Sequence, residues 1–107
     1  DGTTIANVFV TNDEVSIVLE DNVTLDSETP PLKSFFIDRI IGEMKKKDIQ
    51  QVENGKIKKD DVIHCIINNN GSKIREIIIK NYRQKERVDE IINTATWSLT
   101  RMIENSA

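Results

Sequence analysis

The sequence predicts an α+β fold: a two-layer sandwich whose antiparallel sheet of four to five strands carries two helices on one face, in the order ββαββα. Three observations lead there. Two pairs of strand-like runs are each followed by a run with apolar residues at helical spacing. Stiff β-branched residues are abundant, with 17 Ile, 8 Val and 8 Thr against 4 Leu, and such side chains pack well on a pleated surface. Asn70-Gly71 joins two β-rich runs in the pattern of a type I′ hairpin turn. The two halves echo each other in layout but not in sequence, so no repeat is read. One layer of helices leaves the second sheet face partly open, to solvent or to an interface.

Ile5 to Val10 reads as a strand, and Thr11-Asn12-Asp13-Glu14 as a polar turn. Val15, Ile17 and Leu19 alternate with Ser16 and Glu20, as a half-buried strand requires. Val23 and Leu25 keep that parity, so this strand continues or a short third one follows. The stretch Asp26 to Pro31 is a break, and Pro31 suits the first turn of a helix, where its missing N–H costs nothing. Leu32, Phe36, Ile40 and Met44 recur every four residues, with Phe35, Ile37 and Ile41 widening the stripe. An arc that broad predicts a helix covered on more than one side. Lys45-Lys46-Lys47 offers one end for it. Asn54-Gly55 as a hairpin turn offers a second reading. The favoured reading continues the helix through Ile49 and Val52 to Gly55, a suitable C′ residue.

Val62 to Asn68 and Ile74 to Lys80 read as the second hairpin. A two-residue Asn70-Gly71 turn pairs Ile67 with Ile74, Cys65 with Glu76 and Ile63 with Ile78. That leaves Val62, His64, Ile66, Arg75, Ile77 and Ile79 on the other face. The last helix runs from about Tyr82 or Gln84 to Glu104, with Val88, Ile91, Ile92, Ala95, Leu99, Met102 and Ile103 on one stripe. Residues 105–107 are expected to fray.

At 107 residues the chain fits a single domain, and without an initiating Met it is expected to be excised from a larger protein or processed. With 37% hydrophobic and 31% charged residues it has a globular balance. No apolar run approaches the roughly 18 residues of a membrane span, and no signal peptide is visible. A lone Cys excludes an intrachain disulfide framework and fits a reducing, cytoplasmic location.

The motifs argue against catalysis, so no catalytic residue, cofactor or metal is expected. His64 and Cys65 are the only His and Cys, and neighbours on a strand point to opposite faces, which argues against a dyad. One His and one Cys do not make a zinc site. Asp60-Asp61 lacks the ligand pattern of a calcium loop. No phosphate loop, dinucleotide fingerprint or nucleophile elbow occurs. Asn22-Val23-Thr24 and Asn70-Gly71-Ser72 match the glycosylation sequon, but Asn is common here and a turn accounts for Asn70.

Binding is the better expectation. The charge of −3 is divided: residues 1–32 hold seven acids and no base, leaving the remainder net positive. Trp97 falls on the last helix opposite its apolar stripe, near Glu90, Asn93 and Arg101. Trp and Arg are favoured interface anchors, so these four form a candidate contact with another protein or a second copy; the plainer alternative is a loop folded over the ring. Lys45, Lys46, Lys47, Lys56, Lys58 and Lys59 form a candidate anion site, the basis of an alternative as a nucleic-acid-binding domain. That stretch has no aromatic for stacking and no Arg for base reading, and a solvated loop explains it as well. The run Tyr82 to Arg87 puts bases at a helix start, against the dipole. The function expected is a non-catalytic protein-interaction or assembly module. A small ligand-binding or enzymatic domain with a pocket between helices and sheet is the third reading.

Overall fold

Strands β1 (Ala6–Val10) and β2 (Glu14–Leu19) form the first hairpin, β3 (His64–Asn70) and β4 (Lys73–Lys80) the second, in a computed structural model that describes residues 4–106. The hairpins join through β2 and β4 into one antiparallel sheet of order β1-β2-β4-β3. Between them lies helix α1, π-helical over Leu32–Ile41 and α-helical over Gly42–Glu53, then a 3₁₀ turn at Lys59–Asp61. Helix α2 (Lys85–Ser106) closes the chain. The fold is the expected α+β class, with four strands.

Alternation fixes which sheet face is covered. Val15, Ile17 and Leu19 of β2 are buried while Glu14, Ser16 and Val18 are only partly so. Ile77 and Ile79 of β4 lie opposite Ile17 and Val15 and continue that layer. Phe36, Leu32 and Met44 of α1 and Ile91, Ala95, Leu99 and Met102 of α2 close over it. Burying each such Leu, Ile, Phe or Met side chain is worth about 1.5–3 kcal/mol. Val23 and Leu25 are buried as their parity suggests, in a segment that lies beside the start of β4: the Ile74 amide donates to the Leu25 carbonyl at 2.8 Å, and Asp26 bridges Lys73.

The second hairpin differs from its expected register. Gly71 (φ 65°) and Ser72 form the bend, a type II′ arrangement with positive φ at the first central residue only, so Asn70 pairs with Lys73. A bulge follows between Asn68 and Asn69, with Arg75 as the extra residue. Ile67 therefore pairs with Ile77, Cys65 with Ile79 and Ile66 with Ile78. The shift is odd, so β4 turns the opposite face inward: Ile77 and Ile79 are buried, and Glu76 and Ile78 lie on the open face. Arg75 reaches the Val23 carbonyl at 2.7 Å and Asp21 at 3.8 Å.

Helix α1 takes the longer course to Gly55. The Gly55 amide donates to Val52 and the Lys56 amide to Gln51, the Schellman pair, with Gly55 at φ 73°. The stripe is reset within the π-helical part. The Gly42 amide reaches the Ile37 carbonyl, five residues back, so the inward positions run Leu32, Phe36, Ile41, Met44, Asp48. Ile41 rather than Ile40 is buried for that reason.

Candidate functional site

Three of the five exposed large apolar side chains among the described residues lie on β1. Val8, Phe9 and Val10 are 40%, 58% and 49% exposed, with no intervening charged residue. This strand is an edge of the sheet, so one side of its backbone has no neighbouring strand among the described residues. The Glu20 amide donates to the Ile5 carbonyl and the Thr11 amide to the Glu14 carbonyl, both at 2.9 Å. Antiparallel alternation then directs Asn7 and Phe9 at β2, and Ala6, Val8 and Val10 outward. Phe9 shares the open face with Val18, Ile66 and Ile78, around a polar centre where Ser16 and Asn68 both donate to Glu76.

Trp97 is 48% exposed on the outer side of α2. Phe35, from the π-helical part of α1, meets its ring edge-on at 5.1 Å and 63°. The Arg101 guanidinium lies 5.6 Å from the ring centre and also pairs with Glu104 at 3.3 Å. Glu90 and Asn93 are exposed earlier on α2, at helical spacing from Trp97.

The six lysines are all exposed, and among the described residues none forms an ion pair. They do not all line one cavity. Lys45 and Lys59 line one cavity of about 390 Å³ with Ile49, Asp60, Val62, Ile63 and His64. An adjoining cavity of about 310 Å³ is lined by Ile37, Asp38, Ile41, Gly42, Lys45, His64 and Cys65. Lys47 instead faces a third, of about 340 Å³, between α1 and the start of α2.

Beside that third cavity sits a cluster whose two bases belong to the Tyr82–Arg87 run and whose acid, Asp48, was not among the expected site residues. Asp48 is fully buried and accepts hydrogen bonds from the Ile63 amide at 2.9 Å, from Arg83, and from Arg87 Nη1 at 3.1 Å, while Arg87 Nη2 lies at ion-pair distance, 2.9 Å. Burial pushes its carboxyl up, but hydrogen bonds from Arg87, the Ile63 amide and Arg83, with the Arg87 charge, more than reverse that and hold it below the usual value. The signal was present: Asp48 follows Met44 by four residues, an acid on the apolar stripe, and Arg83 and Arg87 are also four apart. The bases at the start of α2 thus have a structural partner that outweighs the dipole.

His64 pairs across the sheet with Lys80, and Cys65 packs against the core from the next position. Burial pushes the Cys65 thiol up to about 11, away from nucleophilic use at neutral pH. Among the described residues no three His, Cys, Asp or Glu side chains converge as metal ligands, and no helix is long and apolar enough to cross a membrane. The chain matches no family model, and no curated protein or solved structure resembles it significantly.

Proposed function

We propose that this chain is a non-catalytic assembly module that associates through the free edge of β1, with a second copy of itself as the occupant. The observation that carries the reading is the run Val8-Phe9-Val10, exposed on a strand whose outer backbone has no neighbour among the described residues. Proteins usually guard such an edge with Lys, Pro or a bulge, and β1 (ANVFV) has no Lys, Pro or register break. Residues 4–12 carry no charge, so no like charges meet across a self-paired seam. Antiparallel pairing about a two-fold axis at Val8 sets Val8 against Val8, Asn7 against Phe9 and Ala6 against Val10. The outward amides and carbonyls of Ala6, Val8 and Val10 are in phase for that pairing. Trp97, Arg101, Glu90 and Asn93 supply a second contact stripe; β1 has the stronger claim because the Trp97 ring is already engaged by Phe35 and Arg101. The unpaired lysines favour the alternative of nucleic-acid binding, which has no aromatic or Arg in the lysine stretch to support it.

Val8→Pro tests the reading. The Val8 amide faces outward, so proline there removes a donor from the seam and leaves the β1–β2 ladder intact. Analytical ultracentrifugation from micromolar to millimolar concentration is expected to show a dimer for the native chain and a monomer for Val8→Pro, with matching circular dichroism. A native chain that stays monomeric, or a dimer indifferent to the substitution, refutes it.

A further inference from the structure

We infer that the groove between the free edge of β3 and helix α1 binds an acidic segment of another protein, held extended as a fifth strand. This site lies on the opposite edge of the sheet from β1 and stands independently of the assembly reading.

Three observations carry it. The first is backbone phase. Asn81 donates to the Asp13 carbonyl at 2.7 Å, which fixes which residues of β4 bond β2 and which bond β3. Following that alternation, His64, Ile66 and Asn68 bond β4, while Ile63, Cys65 and Ile67 face outward. The Ile63 amide is already taken by Asp48, which marks where the open edge begins. Cys65 and Ile67 come next in the same phase, and no strand lies beside them among the described residues.

The second is shape. The two adjoining cavities share Lys45 and His64 as lining residues, so they run along one groove where β3 begins. Ile37 and Ile41 give one cavity an apolar wall, and Ile49 and Val62 the other. An extended segment sends alternate side chains to opposite sides, so every second residue can fill this groove while its backbone pairs with β3.

The third is charge. Lys45 and Lys59 stand at the groove without an ion pair among the described residues, and Lys46, Lys56 and Lys58 nearby in sequence also have none. Asp38, the acid of the second cavity, is engaged by Lys33 at 3.6 Å. Asp60 lines the first cavity as well, so outside the Lys33–Asp38 pair the groove has two lysines against one acid, a net positive charge beside apolar walls. Acids interleaved with apolar residues match both features, and the like-charged basic segment is repelled. A nucleic acid fits less well, because neither cavity is lined by a Phe, Tyr, Trp or Arg, and His64 is the one ring at the groove.

The test uses the full chain and a labelled peptide of alternating Val and Glu, with a Val–Lys counterpart and a short oligothymidylate as comparison probes. Fluorescence anisotropy is expected to show binding of the Val–Glu peptide alone. Lys45→Glu with Lys59→Glu is expected to weaken it about tenfold, as loss of complementary charge does. Amide exchange at Cys65 and Ile67 is expected to slow by about tenfold or more on binding. A Val–Glu peptide N-methylated at alternate residues keeps its charge but cannot pair, and is expected not to bind; this holds even if the double variant misfolds. Absence of peptide binding at millimolar concentration overturns the inference. So does binding that leaves the Cys65 and Ile67 amides unchanged. Binding of the oligothymidylate in place of the peptide, lost in the double variant, overturns it in favour of nucleic acid.

Discussion

A carboxylate shut off from water persists at Asp48 because three hydrogen-bond donors meet it, the Ile63 amide, Arg83 and Arg87 Nη1, with Arg87 Nη2 at ion-pair distance beside them. These link α1 to β3 and to the start of α2 through one residue. Asp48→Asn keeps the shape but leaves the buried Arg87 without its counter-charge, and is expected to cost about 3–5 kcal/mol in chemical unfolding. The same carboxyl sets an acid limit. Its value is lowered in the folded chain, so its stabilisation is complete above the unfolded value of about 3.9 and is lost as pH falls from there through the lowered one. Unfolding followed from pH 6 to pH 2 is expected to show this acid loss, and Asp48→Asn to flatten it; an unchanged slope refutes the assignment. Cys65 gives a second prediction at this scale. With its thiol raised from 9.0 to about 11, the folded chain holds about a hundredfold less thiolate at neutral pH than the unfolded one. Maleimide labelling is expected to be slow in buffer and fast in denaturant.

Helix α1 shows what periodicity alone can and cannot reveal. Its length and its end at Gly55 were legible, because Ile49, Val52 and a terminal glycine continue the pattern beyond the three lysines. The π-helical reset was not, because Ile40 and Ile41 are both isoleucine and composition cannot say which turns inward. Gly55 itself is testable. A Cβ there meets nothing within 4 Å, so only the φ of 73° resists substitution. Gly55→Ala is expected to cost about 1 kcal/mol, or about 4–8 °C in Tm by calorimetry, with Gly55→Asn costing less. In the second hairpin the two strands were legible and their pairing was not. Gly71 leads the bend instead of following Asn70, and the bulge at Arg75 adds one more step. Both depend on local backbone choices that several turn types satisfy with the same residues.

At the scale of the whole molecule the α+β class was readable because two periods, near 2 and near 3.6, alternate in clean blocks. The sites were less so. Exposure of β1 depends on strand order, which places β1 and β3 at the two edges and beyond the reach of sequence spacing. The Lys45–Lys59 groove depends on the loop 54–63 folding back beside α1. The two edges also differ in protection: β3 has Lys59 before it and Lys73 across its turn, whereas β1 has no base in the first 32 residues. On the proposed self-pairing, that difference bears on the geometry open to two copies. Edge β1 against β1 closes on itself and stops at two, but β1 against β3 would repeat head to tail without end, growing a fibre. Lysine beside a strand edge is a recurrent guard against open-ended pairing, and of the two edges only β3 is flanked by it.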